Sequence, residues 1–293
     1  MYILLQLIFL LQAHCGVPGV GVGTSGTLTM IMGTSGCYML NIDHDQITYD
    51  TPIKGCLGRV QDGILPMKLG LEMGQSAMGD LFAWLASITN TSVNELEKSA
   101  WAHVDYNSST TRPICLDWFN GNRSPHNIGG LKGGIMSLDL ATTPGSLYLA
   151  IADGLALGGR DMVKNFQDAG IHVDKYVAAG GLPHVAPLLM QRFADAMQHP
   201  IYITETKESG AVGAAIFGAI AGNAFDNVHD AVAIMSLPAL EKYGRVVEPN
   251  LGREVKLYWD NMQEQYYRLG RLEMELYAGG RIQRKEEKGA EKI

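Results

Sequence analysis

Three glycine-rich stretches hold the residue types that can do chemistry in this chain. In MGTSG (residues 32–36), Gly33, Thr34 and Ser35 follow an apolar run. Backbone N–H groups and two hydroxyls then gather on one turn, which suits phosphate oxygens. A plain hairpin turn has the same composition. In VAAGGLPHVAP (177–187), Gly180 and Gly181 stand between a strand-like run and a helix start. A flat ring can lie against backbone that has no Cβ, although many α/β turns carry a glycine pair. GAVGAAIFGAIAG (210–222) reads as a helix with a face of Gly and Ala. Such a face serves either close helix packing or as a wall beside a nucleotide.

Other chemistries are disfavoured. No GxGxxG follows a first strand and no GxxxxGK[ST] occurs, which argues against Rossmann and P-loop sites. The eight histidines form no HExxH or similar ligand pair, so no metal site is assigned. His44, between two aspartates, reads as part of a solvated loop. Cys15, Cys37, Cys56 and Cys115 have irregular spacing and no CxxC, so they are expected as buried reduced thiols. Lys plus Arg total 23 against 30 Asp plus Glu, a net charge of -7. That balance supplies no field for nucleic acid or an anionic membrane.

These residues need elements to position them. The start, MYILLQLIFLL, is too short to span a bilayer as a helix. It lacks the basic n-region and small-residue cleavage site of a signal peptide, since no Lys or Arg precedes Lys54. Met1–Leu11 is therefore expected as a buried strand, even though sequons at Asn90, Asn107 and Asn122 would suit an exported chain. TLTMIM and CYMLNI, joined by GTSG, predict a hairpin. Another strand or hairpin is expected over 54–65. QSAMGDLFAWLASIT and VNELEKSAWAHV have apolar residues at helical spacing, with Trp84 and Trp101 assigned to the core. DWFNGNRSP (117–125) breaks the pattern with turn residues, and GGIMSLDL predicts a strand.

Thr142-Thr143-Pro144 marks a helix start, and that helix is expected to run to about Ala169 and stop at Gly170. A strand (VDKYVAA), a helix (VAPLLMQRFADAMQ), a strand (IYIT) and the small-residue helix follow. A long amphipathic helix begins near Arg253, and RKEEKGAEKI forms a charged, frayed end. Strand–helix alternation of this kind predicts an α/β layer with partly parallel strands.

The order of these pieces resembles the C-terminal domain of the FGGY carbohydrate kinases, within the actin–hexokinase superfamily. The likeness is greatest to members that phosphorylate L-ribulose. The family segment Asp-Ala-His-(small)-Gly-Val-Pro-Gly stands here as Gln12 to Gly19. MIMGTSGCYML, the run from Glu72 to Asp80, DWFNGNRSP, the TTP helix start, AAGGLPHVAPLLMQRFAD and GAVGAAIFGAIAG follow in the family order. The resemblance implies a ribonuclease-H-like α/β domain with a mixed sheet and flanking helices, spanning residues 1–280, and a charged tail over 281–293. It implies a cytoplasmic ATP-dependent kinase, with ATP and Mg2+ as cofactors. It places Gly33, Thr34 and Ser35 at the β- and γ-phosphates. Gly180 and Gly181 flank the adenosine, with Gly210 nearby. Glu72 contacts a sugar hydroxyl; its other reading is a surface loop acid.

Two departures from the family accompany the resemblance. The family's Asp-x-Gly-Thr loop, part of its N-terminal domain, has no counterpart in this sequence. Gln12 stands where the family has its catalytic Asp, and an amide can orient a hydroxyl but cannot accept its proton as a carboxylate does. Asp153 stands where the family usually has Glu, and no role is attached to it. The expectation is the C-terminal half of a pentulose kinase, inactive alone. A non-catalytic nucleotide- or sugar-binding module and one half of a split kinase remain the alternatives. The implied partners are ATP and a pentulose such as L-ribulose. A separate N-terminal half and a homodimer stay open.

Overall fold

A computed structural model describes residues 12–48, 50–107 and 112–290, with residue 12 and residues 281–290 as backbone only. The strand expected over Met1–Leu11 lies outside the described residues. Helix α1 (Gln12–Gly19) leads into the expected hairpin, β1 (Thr27–Met32) and β2 (Gly36–Ile42). Strands β3 (Gly58–Gln61) and β4 (Leu69–Gln75) extend the sheet beyond β2. Helices α2 (Gly79–Thr89) and α3 (Val93–Trp101) follow. Next come β5 (Ile114–Leu116) and β6 (Gly134–Met136), which form a small sheet of their own. Helix α4 (Pro144–Asp168) precedes β7 (Lys175–Ala179), the short α5 (Leu182–Val185), α6 (Pro187–Met197) and β8 (Ile201–Ile203). Helices α7 (Ser209–Ala221), α8 (Val228–Met235) and α9 (Leu237–Glu241), β9 (Arg245–Val247) and α10 (Arg253–Ala290) follow among the described residues.

The main sheet has the order β3-β4-β2-β1-β7-β8-β9. The β3-β4-β2-β1 half is antiparallel, β1, β7 and β8 are mutually parallel, and β9 returns antiparallel. Because strand side chains alternate between faces, the sheet builds two cores. Leu28, Met30 and Met32 of β1 join Tyr176 and Ala178 of β7 beneath α4, α6 and α10. Met39, Val177 and Ala179 face the other way and pack with Val17 of α1 and with Val20 just beyond it.

The cap predicted at Thr143 is a full capping box, with Ser146 as its partner and Pro144 in the first turn. Helix α4 ends before Gly170, whose φ of +81 suits glycine. Trp84 and Trp101 are not core residues: they are 38% and 43% exposed. Helix α2 turns Leu81, Phe82 and Leu85 inward, and α3 turns Leu96, Glu97 and Ala100 inward. Each tryptophan lies beside that stripe, and Trp84 rests against Phe119 with ring centroids 5.0 Å apart. His44 is exposed as expected. The four cysteines are free; Cys15 and Cys115 are buried and Cys37 and Cys56 half-buried. Among the described residues, no helix is long and apolar enough to cross a membrane.

One buried group couples this fold to pH. Asp117 accepts hydrogen bonds from Gln75 Nε2 (2.7 Å) and Tyr266 Oη (2.6 Å). Burial outweighs both bonds and lifts its pKa to about 6. The folded state therefore holds this proton more tightly than the unfolded chain. The contribution of Asp117 is greatest below the unfolded pKa and is lost as pH rises to about 6. The stability of the wild type relative to Asp117→Asn is expected to fall by ~2–3 kcal/mol from pH 4 to pH 7. Urea unfolding of both proteins across that range checks it; a pH-independent difference would contradict the assignment.

Candidate active site

Because β1 and β7 are parallel and in register, with Ile31 opposite Ala179, their C-terminal ends open side by side. The loop Gly33-Thr34-Ser35 leaves β1 there, and Gly180-Gly181 leaves β7. Gly33 and Thr34 are tied down through their carbonyls, which accept from Gly79 N (3.0 Å) and Met78 N (2.8 Å) at the start of α2. The Thr34 and Ser35 positions are left exposed. Gly180 has φ +94, and a Cβ on it would sit 2.4 Å from Met32 O, so the turn requires glycine. Cβ atoms built on Gly33 or Gly181 would meet nothing within 4 Å.

A cavity of about 590 Å³ opens at this edge, lined by Gly180, Gly181, Gly210, Ile31 and Ala13, with His184, Lys207 and Ser209 among the polar groups. The two glycine readings of α7 are both realised, at different residues. Gly210 lines the cavity, whereas Gly213 and Gly19 make the packing contact. A Cβ on Gly213 would lie 1.6 Å from Cys15 O, and one on Gly19 would lie 1.9 Å from Ser209 O. Helices α1 and α7 therefore meet backbone to backbone. Gln12 opens α1, so the segment that resembles the family's Asp-Ala-His stretch is helical. Gly33, Thr34 and Ser35 do not line this cavity; they lie at the neighbouring strand end.

Glu72 is not a surface loop acid. It sits in the middle of β4, 8% exposed, on the sheet face that meets α1. His14 Nε2 donates to its Oε2 (3.1 Å) and Arg123 Nη2 to its Oε1 (2.5 Å). The hydrogen bond from His14 and the charge of Arg123 hold its carboxyl below the usual range, against burial, which raises it. Gly74 makes room for Arg123, since a Cβ there would sit 2.9 Å from the arginine chain. A carboxylate held ionised in this way can accept from hydroxyls, and it lies outside the lining of the 590 Å³ cavity. The sequence reading missed His14, Arg123, His184 and Lys207 as contributors. Arg123 had one signal, a lone cation inside a turn-rich segment. Among the described residues no group of three or more His, Cys, Asp or Glu is arranged for a metal.

A mixed sheet with an antiparallel half and a parallel half, helices on both faces and a ligand-sized cavity at the parallel ends define an actin–hexokinase-type domain. Residues 28–222 match the FGGY family of carbohydrate kinases, C-terminal domain, and the chain belongs to that family. It is 37% identical over 274 residues to a ribulokinase of Anoxybacillus flavithermus, covering 88% of this chain and 46% of that protein. A ribulokinase of Halalkalibacterium halodurans is 38% identical over 245 residues, covering 80% and 42%. The chain thus spans about half the length of the curated relatives it matches. Among solved structures, a xylulose kinase from Brucella ovis superposes with a TM-score of 0.75 at 20% identity, over 90% of this chain and 51% of that one. Plasmodium falciparum glycerol kinase, solved with ADP, gives 0.70 at 16% identity, over 89% and 50%.

The open space over Gly181 yields a direct test. Gly181 has φ -72 and ψ -37, which valine tolerates. Gly181→Val is expected to weaken ATP binding by more than about tenfold, over ~1.4 kcal/mol, with little change in Tm. Calorimetry beside a thermal melt checks both. Retained ATP affinity with an early melt would make Gly181 a packing residue instead.

Proposed function

We propose that this chain is the nucleotide-binding half of an ATP-dependent kinase that phosphorylates a pentulose such as L-ribulose. The observation that carries this is the convergence of two glycine turns, on adjacent parallel strands, beside a cavity of about 590 Å³. Gly180, Gly181 and Gly210 would flank the adenosine. The exposed Gly33-Thr34-Ser35 turn would meet the β- and γ-phosphates, and Mg2+ would enter bound to the phosphates and water rather than to a protein cage. Glu72, oriented by His14 and Arg123, would accept from a sugar hydroxyl. The domain would take in residues 1–280 and function in the cytoplasm.

Titration of the purified chain with ATP·Mg2+ and, separately, with L-ribulose tests this reading. Nucleotide binding without measurable sugar binding is expected, because Glu72 is a single contact and a sugar pocket needs several. Sugar binding in the absence of nucleotide binding would overturn it. A second reading, a non-catalytic nucleotide-binding module, rests on the resemblance, which aligns Gln12 with the family's catalytic Asp.

A further inference from the structure

A second cavity, of about 600 Å³, lies between α4, α10 and residues 118–126. The proposed kinase reaction uses no part of it. Four rings run along its wall in a continuous series. His126 meets Trp118 edge-on with centroids 5.3 Å apart, Trp118 meets Tyr266 at 6.4 Å, and Tyr266 meets Tyr267 at 6.3 Å. Such a wall takes an aromatic body by edge and face contacts.

Two opposite charges on this cavity lack partners. Asp161 on α4 is 8% exposed and lines the cavity. Its Oδ1 accepts from Tyr267 Oη (2.8 Å). Its Oδ2 has no hydrogen-bond partner among the described residues, and it is not sealed from water. The neighbouring cations of α4 are committed elsewhere, Arg160 to Asp260 (2.6 Å) and Lys164 to both oxygens of Asp168 (2.7 Å each). A carboxylate this buried is costly without a cation, and a charged donor is what it lacks. Lys54, between β2 and β3, is exposed on the rim and has no ion-pair or hydrogen-bond partner among the described residues. Both charges reach His126: burial and Lys54 hold it below the usual histidine range, and Asp161 pulls the other way. Lys54 and Asp161 therefore border the same part of the cavity. At the mouth, Arg271 and Glu275 stand one turn apart on α10 and offset each other.

We infer that this cavity binds a free amino acid with an aromatic side chain. Its ammonium would donate to Asp161 Oδ2, its carboxylate would face Lys54, and its ring would pack along the four aromatic residues. A triphosphate would bring its charge against Asp161, and a polyol would leave both charges unpaired.

The probe is L-phenylalanine, titrated into the full chain and followed by saturation-transfer NMR. Saturable binding is expected. Asp161→Asn is expected to weaken it at least tenfold. The amide keeps an acceptor for Tyr267, and Tm is expected to stay the same or rise because an unpaired buried charge is gone. Lys54→Met, an exposed change that spares the fold, is expected to weaken binding about two- to fivefold, the loss of one exposed charge pair. N-acetyl-L-phenylalanine, which lacks the ammonium, and L-ribulose are expected not to compete. Four results would each overturn the inference: no saturable binding, equal binding to folded Asp161→Asn, unchanged affinity in Lys54→Met, or competition by N-acetyl-L-phenylalanine or L-ribulose as strong as that of L-phenylalanine itself.

Discussion

Arg192→Ala is expected to destabilise the chain by about 3–5 kcal/mol. Arg192 on α6 is 1% exposed and Asp153 on α4 is 2% exposed. Two parallel hydrogen bonds join them, Nε to Oδ1 at 2.5 Å and Nη2 to Oδ2 at 3.1 Å. Tyr106 accepts from Nη1 (2.5 Å), and Tyr258 donates to Asp153 (2.5 Å). The guanidinium also lies 4.7 Å from the Trp259 ring centre. Removing the arginine leaves a carboxylate with no cation in a dry site, and that residual charge is the main cost. The double substitution Arg192→Met with Asp153→Leu removes both charges and should recover most of the loss. Urea midpoints of the three proteins measure it. A single-mutant loss under ~1 kcal/mol would mean that water reaches the pair.

The 293-residue chain by itself is expected to show no sugar-dependent ADP release with L-ribulose and saturating ATP·Mg2+, and Gln12→Asp alone is not expected to restore it. On the proposed reading two deficits are stacked. A general base is typically worth about 10²–10⁴ in rate. Positioning and electrostatic clamping contribute more in phosphoryl transfer, and the chain matches only 46% of the length of a full ribulokinase. Restoring the carboxylate therefore addresses the smaller deficit. Gln12→Asp combined with a ribulokinase N-terminal domain supplied in trans is the combination expected to turn over. Sugar-dependent turnover by the unmodified chain would show that position 12 does not hold the base.

The parts of the fold that were legible in sequence are those fixed by local chemistry. Thr143-Pro144 announces α4 because a hydroxyl cap and a proline each satisfy a helix N-terminus without tertiary help. The β1–β2 hairpin follows from its apolar runs and glycine turn. Strand β4 was not legible. LGLEMGQ contains two glycines and no β-branched residue, and it is buried along its whole length, so no alternation marks it. Helix α1 was hidden for a related reason: Gly16, Pro18 and Gly19 are poor helix formers, and packing on α7 holds the segment helical. The glycines of the candidate site were visible in sequence. The long-range pairs of the fold were not, because His14 meets Glu72 across 58 residues and Arg192 meets Asp153 across 39. Only the folded sheet and helices bring such pairs together.

The glycine seam between α1 and α7 has a mechanical consequence. At Gly19 and Gly213 the two backbones touch with no side chain between them, and Ser236 Oγ donates to Pro18 O (2.6 Å), tying the end of α1 to the start of α9. Side-chain contacts can yield by changing rotamer; a contact of main chain on main chain has no such slack. The start of α7 forms part of the wall at Ser209 and Gly210, and the start of α1 carries position 12. Ser209 meets the end of α1 at Gly19 and Gly213 meets Cys15 nearer its start, so the seam fixes how the two helices lie against each other. A ligand that displaces one helix must carry the other with it, so the wall and position 12 behave as the two jaws of a single fixed gauge.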